Sequence, residues 1–106
     1  MSEDPHLTGR IAAPLVQGIQ SQDVAACVKH FALNNQECDR LSVDTKVDDK
    51  TLFELYLPAF YDALMEGGSY SVMGAYNKYD GEFCCENATL LKKILRDLWH
   101  YDGVTI

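Results

Sequence analysis

The feature that most constrains the fold is the alternation of two kinds of apolar segment along the 106 residues. Long segments with apolar residues at helical spacing alternate with short, almost uninterrupted apolar runs, in the order helix, strand, helix, strand, helix, strand. A short run without a polar face is typical of a parallel strand covered on both sides. The sequence therefore predicts an α/β fold with right-handed crossovers, as either a barrel or an open sheet.

In the first half, a helix is predicted over residues 8–22, with Thr8 as its N-cap. Its predicted buried stripe consists of Ile11, Leu15, Val16 and Ile19. Residues 24–28 form the first predicted strand, and Lys29 and His30 follow it directly.

In the second half, Asp48 or Asp49 is predicted to cap a helix that ends at Gly67 and is kinked at Pro58. A strand over residues 71–75 ends in Tyr76 and Asn77, and the Asp80-Gly81 pair predicts a turn. A third helix capped by Asn87 precedes a strand that begins at Gly103. The predicted buried stripes are Leu52, Tyr56, Phe60, Ala63 and Leu64 in the second helix and Leu91, Ile94, Leu95 and Leu98 in the third.

Composition narrows the classes of partner. The hydrophobic fraction of 47% fits a globular chain, and the formal net charge of −7 argues against nucleic acid or an anionic membrane as a partner. No run of about 18 apolar residues and no leader pattern follows Met1, so a cytoplasmic location is expected.

The four cysteines show no paired spacing of the kind that binds structural zinc. Free thiols in a reducing compartment are expected, and a disulfide or a metal site using Cys27 and His30 is the alternative. No metal and no cofactor is therefore predicted.

Five segments together resemble family 3 glycoside hydrolases of the β-glucosidase and β-xylosidase type. They are SEDPHLTG (2–9), KHFALNNQECDR (29–40), TLFELYLPAF (51–60), SVMGAYNKYDG (71–81) and LLKKILRDLWHYDG (90–103). The resemblance implies a partial (β/α)8 barrel of the TIM type, with three parallel strands alternating with three helices. Residues 1–106 would be one incomplete fragment of the family's N-terminal barrel domain.

The resemblance also implies a function and a set of site residues. The parent family hydrolyses terminal β-D-glucosyl bonds with retention, through a glycosyl-enzyme intermediate on an aspartate. The family's substrate-binding positions fall on Lys29, His30, Arg40 and Tyr76, all at or after strand ends, where barrel enzymes place their sites. A β-glucoside or related sugar is the expected ligand.

The resemblance assigns no catalytic residue to this chain, because the family's nucleophilic aspartate would follow residue 106 and its acid/base residue would lie later still. Glu37, Asp39 and Asp44 are interpreted as solvated loop acids. The isolated chain is accordingly expected to be inactive and, with open strand edges, poorly stable.

Two other functions remain open. The chain could be a non-catalytic assembly piece of a split glycosidase, whose other barrel segments are separate chains, or an acidic α/β interaction domain. The preferred glycoside, linkage and aglycone are not encoded in these residues.

Overall fold

The computed structural model describes residues 2–106 and contains six strands and three helices. The strands are β1 (Cys27–Phe31), β2 (Asp44–Thr45), β3 (Ser71–Gly74), β4 (Lys78–Tyr79), β5 (Glu82–Phe83) and β6 (Val104–Thr105). Helix α1 is Pro5–Gln20, and helix α3, Thr89–Leu98, has the wider π-helical winding along its whole length. Helix α2 is a continuous succession of α and π turns: Asp49–Thr51, Leu52–Tyr56, Leu57–Tyr61 and Asp62–Glu66.

The main sheet is parallel and has the order β1-β3-β6. Cys27 pairs with Ser71, and Ser71 pairs in turn with Val104. This sheet and its helical crossovers confirm the predicted α/β class. Within the described residues, β1 and β6 each have one strand edge without a partner.

A second, smaller sheet has the order β2-β4-β5. In the sequence, β2 comes after β1, and β4 and β5 come after β3. This sheet contains the predicted turn, since Asp80 and Gly81 connect the antiparallel β4 and β5 with positive φ angles of 52° and 90°. Positive φ at both central residues is the requirement of a tight two-residue hairpin, which an Asp-Gly pair meets.

The core lies between the main sheet and helices α2 and α3. Phe31, at the end of β1, packs edge-on against Phe60 and Trp99, with ring centroids 5.1 and 6.0 Å apart. The other fully buried large aliphatic side chains of the core are Leu52, Leu57, Leu64, Leu90, Leu95 and Val72. This core ties both crossover helices to the strands that carry the predicted site.

Helix α1 differs from the prediction at its start and on its buried face. It begins at Pro5, where Asp4 accepts hydrogen bonds from the N–H groups of His6 and Leu7, so Thr8 lies inside the helix and is not its cap. The buried positions of α1 are mostly small, namely Gly9, Ala12, Ala13 and Val16, whereas three of the four residues of the predicted stripe are exposed: Ile11, Leu15 and Ile19.

Small residues face α2 because the two helices approach closely. A Cβ at Gly9 would lie 2.8 Å from the carboxyl carbon of Asp62, and one at Gly67 would lie 3.1 Å from the Cα of Ala13. Larger residues at these positions would force the helices apart.

Three further features of the strands and helices differ from the prediction. β1 starts at Cys27 because pairing with β3 begins there, so Lys29 and His30 lie within the strand and not after it. Helix α2 continues through Pro58 without ending, preceded by a wide turn in which Leu57 N–H donates to Leu52 O. In α3, three residues of the predicted stripe, Leu91, Ile94 and Leu95, pack on the core, but Leu98 is exposed and the unpredicted Leu90 is buried.

No helix among residues 2–106 combines the length and the apolar character that a membrane crossing requires.

Candidate functional site

The carboxyl ends of β1 and β3 bring two of the predicted site residues together. Phe31 and Gly74 are register partners, so the two parallel strands end at the same level. His30 precedes Phe31, and Tyr76 follows Gly74 by two residues. The His30 and Tyr76 rings lie with their centroids 6.3 Å apart and their planes inclined at 33°.

A third predicted residue reaches this pair from the loop between β1 and β2. The guanidinium carbon of Arg40 lies 5.1 Å from the centroid of the Tyr76 ring, within the range of a cation–π interaction. Tyr76 therefore contacts both His30 and Arg40, although its own side chain is half exposed. This group presents an imidazole, a phenol and a guanidinium at one end of the sheet.

Two loop residues hold Arg40 in place. Arg40 Nη1 donates to Glu37 Oε2 at 2.7 Å, and Asn34 Nδ2 donates to Glu37 Oε1 at 3.3 Å. Both oxygens of this carboxylate are therefore used in positioning the guanidinium. Glu37 was interpreted from the sequence as a solvated loop acid. It is exposed, but its carboxylate pairs with Arg40 within a loop, where no regular spacing predicts such a pair.

Lys29, the fourth predicted residue, is separate from this group. Its side chain is exposed and makes no hydrogen bond or ion pair within residues 2–106. It borders apolar depressions beside α1, together with Val28, Ala12 and Ala63. The structure thus brings His30, Arg40 and Tyr76 together, and the role of Lys29 stays a prediction.

The small sheet beside the site is held by charged groups. Asp44 accepts a hydrogen bond from Gly81 N–H at 2.9 Å, and Lys46 Nζ lies 3.0 Å from both Asp44 and Asp80 carboxylates. The Gly81 hydrogen bond, followed by the Lys46 ammonium, lowers the pKa of the Asp44 carboxyl. These contacts show that Asp44 has a structural partner set of its own.

The cysteines are free thiols, and only Cys84 is buried. Burial raises the pKa of the Cys84 thiol, which disfavours its reactive thiolate form. Among residues 2–106 no three His, Cys, Asp or Glu side chains are grouped in a way that could hold a metal ion.

Comparison with known proteins identifies the family of the chain. The sequence model described as "Glycosyl hydrolase family 3 N terminal domain" matches residues 1–106. The chain belongs to glycoside hydrolase family 3. The resemblance inferred from the five sequence segments is thereby confirmed.

Three family 3 proteins illustrate the similarity. "Thermostable beta-glucosidase B" of Acetivibrio thermocellus is 49% identical over 105 residues, which are 99% of this chain and 14% of that protein. "Exo-alpha-(1->6)-L-arabinopyranosidase" of Bifidobacterium longum is 42% identical over 99% of the chain and 14% of its own length. The structure of β-glucosidase 3B from Thermotoga neapolitana in complex with glucose superposes with a TM-score of 0.96 at 48% identity, covering 99% of this chain and 15% of that one.

These figures also set the scale of the match. The similarity covers 99% of this chain, but the chain spans only about 14% of the length of these curated relatives. The three-stranded sheet is accordingly a part of the family's barrel.

Proposed function

We propose that this chain is the part of a retaining β-glucosidase barrel that binds the hydroxyl groups of a terminal β-D-glucosyl unit. The observation that carries the proposal is the contact of Tyr76 with both His30 and Arg40 at the carboxyl ends of β1 and β3. Barrel enzymes build their sites at this end of the strands. The relatives named as β-glucosidases, one of them solved with glucose, support the choice of sugar.

The three side chains suit a sugar. The Arg40 guanidinium offers several N–H donors, neutral His30 can both donate and accept, and the Tyr76 hydroxyl can do either. A sugar presents hydroxyl groups at fixed positions, and a site that pairs each of them discriminates strongly against analogues that leave a group unpaired. Lys29 is proposed as a fourth contact, with three donors on its ammonium.

We further propose that the two carboxyl groups of the double displacement come from outside these 106 residues. A retaining mechanism needs an attacking and a proton-donating carboxyl about 5 Å apart. Near the site, Glu37 is paired with Arg40, and Asp44 is held by Gly81 and Lys46. The chain alone is therefore expected to bind a sugar without hydrolysing it.

A chimera tests both statements. The matching segment of Thermotoga neapolitana β-glucosidase 3B is replaced by these 106 residues, which supplies the rest of the barrel from an enzyme that superposes closely. The chimera should hydrolyse an aryl β-glucoside, and Arg40→Ala or Lys29→Ala should raise its KM, with the exposed Lys93→Ala as a matched control. Hydrolysis by the purified 106-residue chain, abolished by Lys29→Ala, would show that the chain is a complete catalyst and refute the second proposal.

A second candidate is an assembly piece whose remaining barrel strands are separate polypeptides. The unpaired edges of β1 and β6 and the exposed apolar side chains of α1 favour it. Co-expression with the complementary segments of a family 3 barrel, followed by size-exclusion chromatography, should yield a stable and active complex. Separate elution of the pieces, with no recovered hydrolysis, would exclude this candidate.

The remaining alternative, an acidic interaction domain without sugar chemistry, makes the opposite prediction for ligand binding. Glucose should then leave the amide signals around His30 and Tyr76 unchanged in the isotope-labelled chain.

A further inference from the structure

Asn77 lies directly after Tyr76, and its side chain is fully buried where three chain segments meet. Its Nδ2 is 3.4 Å from Ala32 O, just beyond β1, and 3.4 Å from Thr45 Oγ1 in β2. The same nitrogen lies 3.1 Å from Lys78 O at the start of β4. An amide nitrogen carries two protons, so these acceptors share two donors.

The neighbouring contacts form one polar network with Asn77. Cys84 N–H donates to Asn77 O at 3.0 Å, and the Cys84 thiol donates to Ala32 O at 3.4 Å. Thr45 Oγ1 also donates to Leu33 O at 3.3 Å. The chain after β1, strand β2 and the β4–β5 hairpin are thereby connected around a single buried amide.

Each connected segment leads to a residue of the candidate site. Ala32 lies two residues after His30, and Tyr76 directly precedes Asn77 in the chain. Strand β2 begins where the loop that contains Arg40 ends. The distances between these three site residues therefore depend on segments that meet at Asn77.

The other atom of the amide shows that this arrangement is not simply a well-satisfied core. Asn77 Oδ1 is buried and has no hydrogen-bond partner within the described residues. A buried acceptor without a donor lowers stability. An apolar residue would avoid that cost, but it would leave the carbonyl groups of Ala32 and Lys78 without this donor.

We propose that Asn77 is a positioning residue for the sugar site: it fixes His30, Tyr76 and Arg40 relative to one another without touching the sugar. The proposal rests on the proposed function and names a residue that acts only through others. Small displacements of binding groups weaken the interactions they make with a rigid ligand.

Asn87 provides a matched control. It is also a buried asparagine, with Nδ2 donating to Tyr79 O at 2.8 Å and Oδ1 accepting from Leu90 N–H at 3.0 Å. It therefore joins the end of β4 to the start of α3, and it makes no hydrogen bond to the chain after β1 or to β2. The same substitutions at both positions therefore separate a loss of site geometry from a loss of stability.

The experiment measures glucose binding to the 106-residue chain by chemical-shift titration, and the inhibition constant of glucose and the KM in the chimera. Asn77→Ala, or Asn77→Asp where the alanine variant does not fold, should weaken glucose binding about tenfold per folded molecule. Asn87→Ala and Asn87→Asp should leave the glucose affinity of the folded molecules within about twofold of the parent value.

The outcomes are distinct. Unchanged glucose affinity in folded Asn77 variants, beside a parent that binds glucose, overturns the positioning role and leaves the proposed function intact. Equal losses at Asn77 and Asn87 also overturn it, because they indicate a general structural effect. A parent that neither binds glucose nor supports hydrolysis in the chimera refutes the proposed function, and the positioning role with it.

Discussion

The guanidinium of Arg40 lies over the ring of Tyr76, 5.1 Å from its centroid, while its Nη1 is paired with Glu37 at 2.7 Å. The two contacts fix both the position and the orientation of a planar group. Lysine cannot reproduce them, because its ammonium is a point charge without a planar donor fork.

Arg40→Lys is therefore expected to raise the KM of the chimera for an aryl β-glucoside about tenfold, because the variant loses about one good hydrogen bond to the sugar. Glu37→Gln keeps the side-chain length but removes the charge, so we expect a smaller increase, about two- to threefold, as for an exposed ion pair. Steady-state kinetics measure both values. An Arg40→Lys chimera with the parent KM would show that the guanidinium does not bind the sugar.

The order of the three helices and of the main strands β1, β3 and β6 could be predicted from the sequence because it depends on period and length. The two-residue strands β2, β4 and β5 were not predicted. β3 matches its predicted strand within one residue, since the apolar run from Ser71 is also the paired segment. Such runs predict strands well where both faces are covered. The turn at Asp80 and Gly81 was equally predictable, because few dipeptides meet its φ requirement.

The buried face of α1 could not be predicted from periodicity. Apolar residues lie on two sides of this helix, and the side that faces α2 is the one whose small residues permit close approach. Helix–helix distance is a tertiary property that a single helix does not encode. The cap at Asp4, by contrast, had a sequence signal in the Asp-Pro pair, since proline suits the first helical position.

The arrangement of the candidate site also depends on tertiary structure, so the sequence predicted its residues but not their contacts. The family resemblance assigned Lys29, His30, Arg40 and Tyr76 to the site, and their positions near strand ends agreed with that assignment. The partner of Arg40 and the separate location of Lys29 depend on how the loop and strand are arranged in three dimensions. The buried amide of Asn77 followed from no sequence rule, because its acceptors come from distant segments.

Two glycines should respond oppositely to the same substitution. A Cβ at Gly67 would overlap Ala63 O and lie 3.1 Å from the Ala13 Cα, so Gly67→Ala should destabilise the packing of α1 on α2 by about 1–3 kcal/mol. Gly18 in α1 has open space around it, and Gly18→Ala should raise the free energy of unfolding by about 0.5–1 kcal/mol through helix propensity. Urea unfolding of both variants measures the difference; stabilisation by Gly67→Ala would contradict the close helix contact.

Asn87 is expected to stabilise the start of α3. Replacing it with alanine removes the acceptor for Leu90 N–H and the donor to Tyr79 O, so the free energy of unfolding should fall by about 1–2 kcal/mol. Asn87→Asp keeps the acceptor at the helix start and should recover part of this loss. Thermal unfolding followed by circular dichroism measures the order, and an alanine variant as stable as the parent would exclude a capping role.

Tyr101 makes stability sensitive to alkaline pH. Its ring is buried, its hydroxyl donates to Ser69 O at 3.1 Å, and burial raises the pKa of Tyr101 to about 12 from a model-compound value of 10.0. Between these two pH values the unfolded chain loses the phenolic proton while the folded chain keeps it. The stabilising contribution is therefore fully present below pH 10 and is lost as the pH rises towards about 12.

The variant Tyr101→Phe isolates this contribution. It removes the titrating group and the hydrogen bond to Ser69 O, so it should be less stable than the parent at neutral pH, and its stability should fall less steeply from pH 10 upwards. Tyr70→Phe, at an exposed ring, is the matched control and should leave the slope of the parent unchanged. Urea unfolding between pH 8 and pH 11, about the range in which the unfolded chain titrates, measures these slopes. Parallel curves for the parent and Tyr101→Phe would mean that the buried phenol is not the source of the alkaline sensitivity.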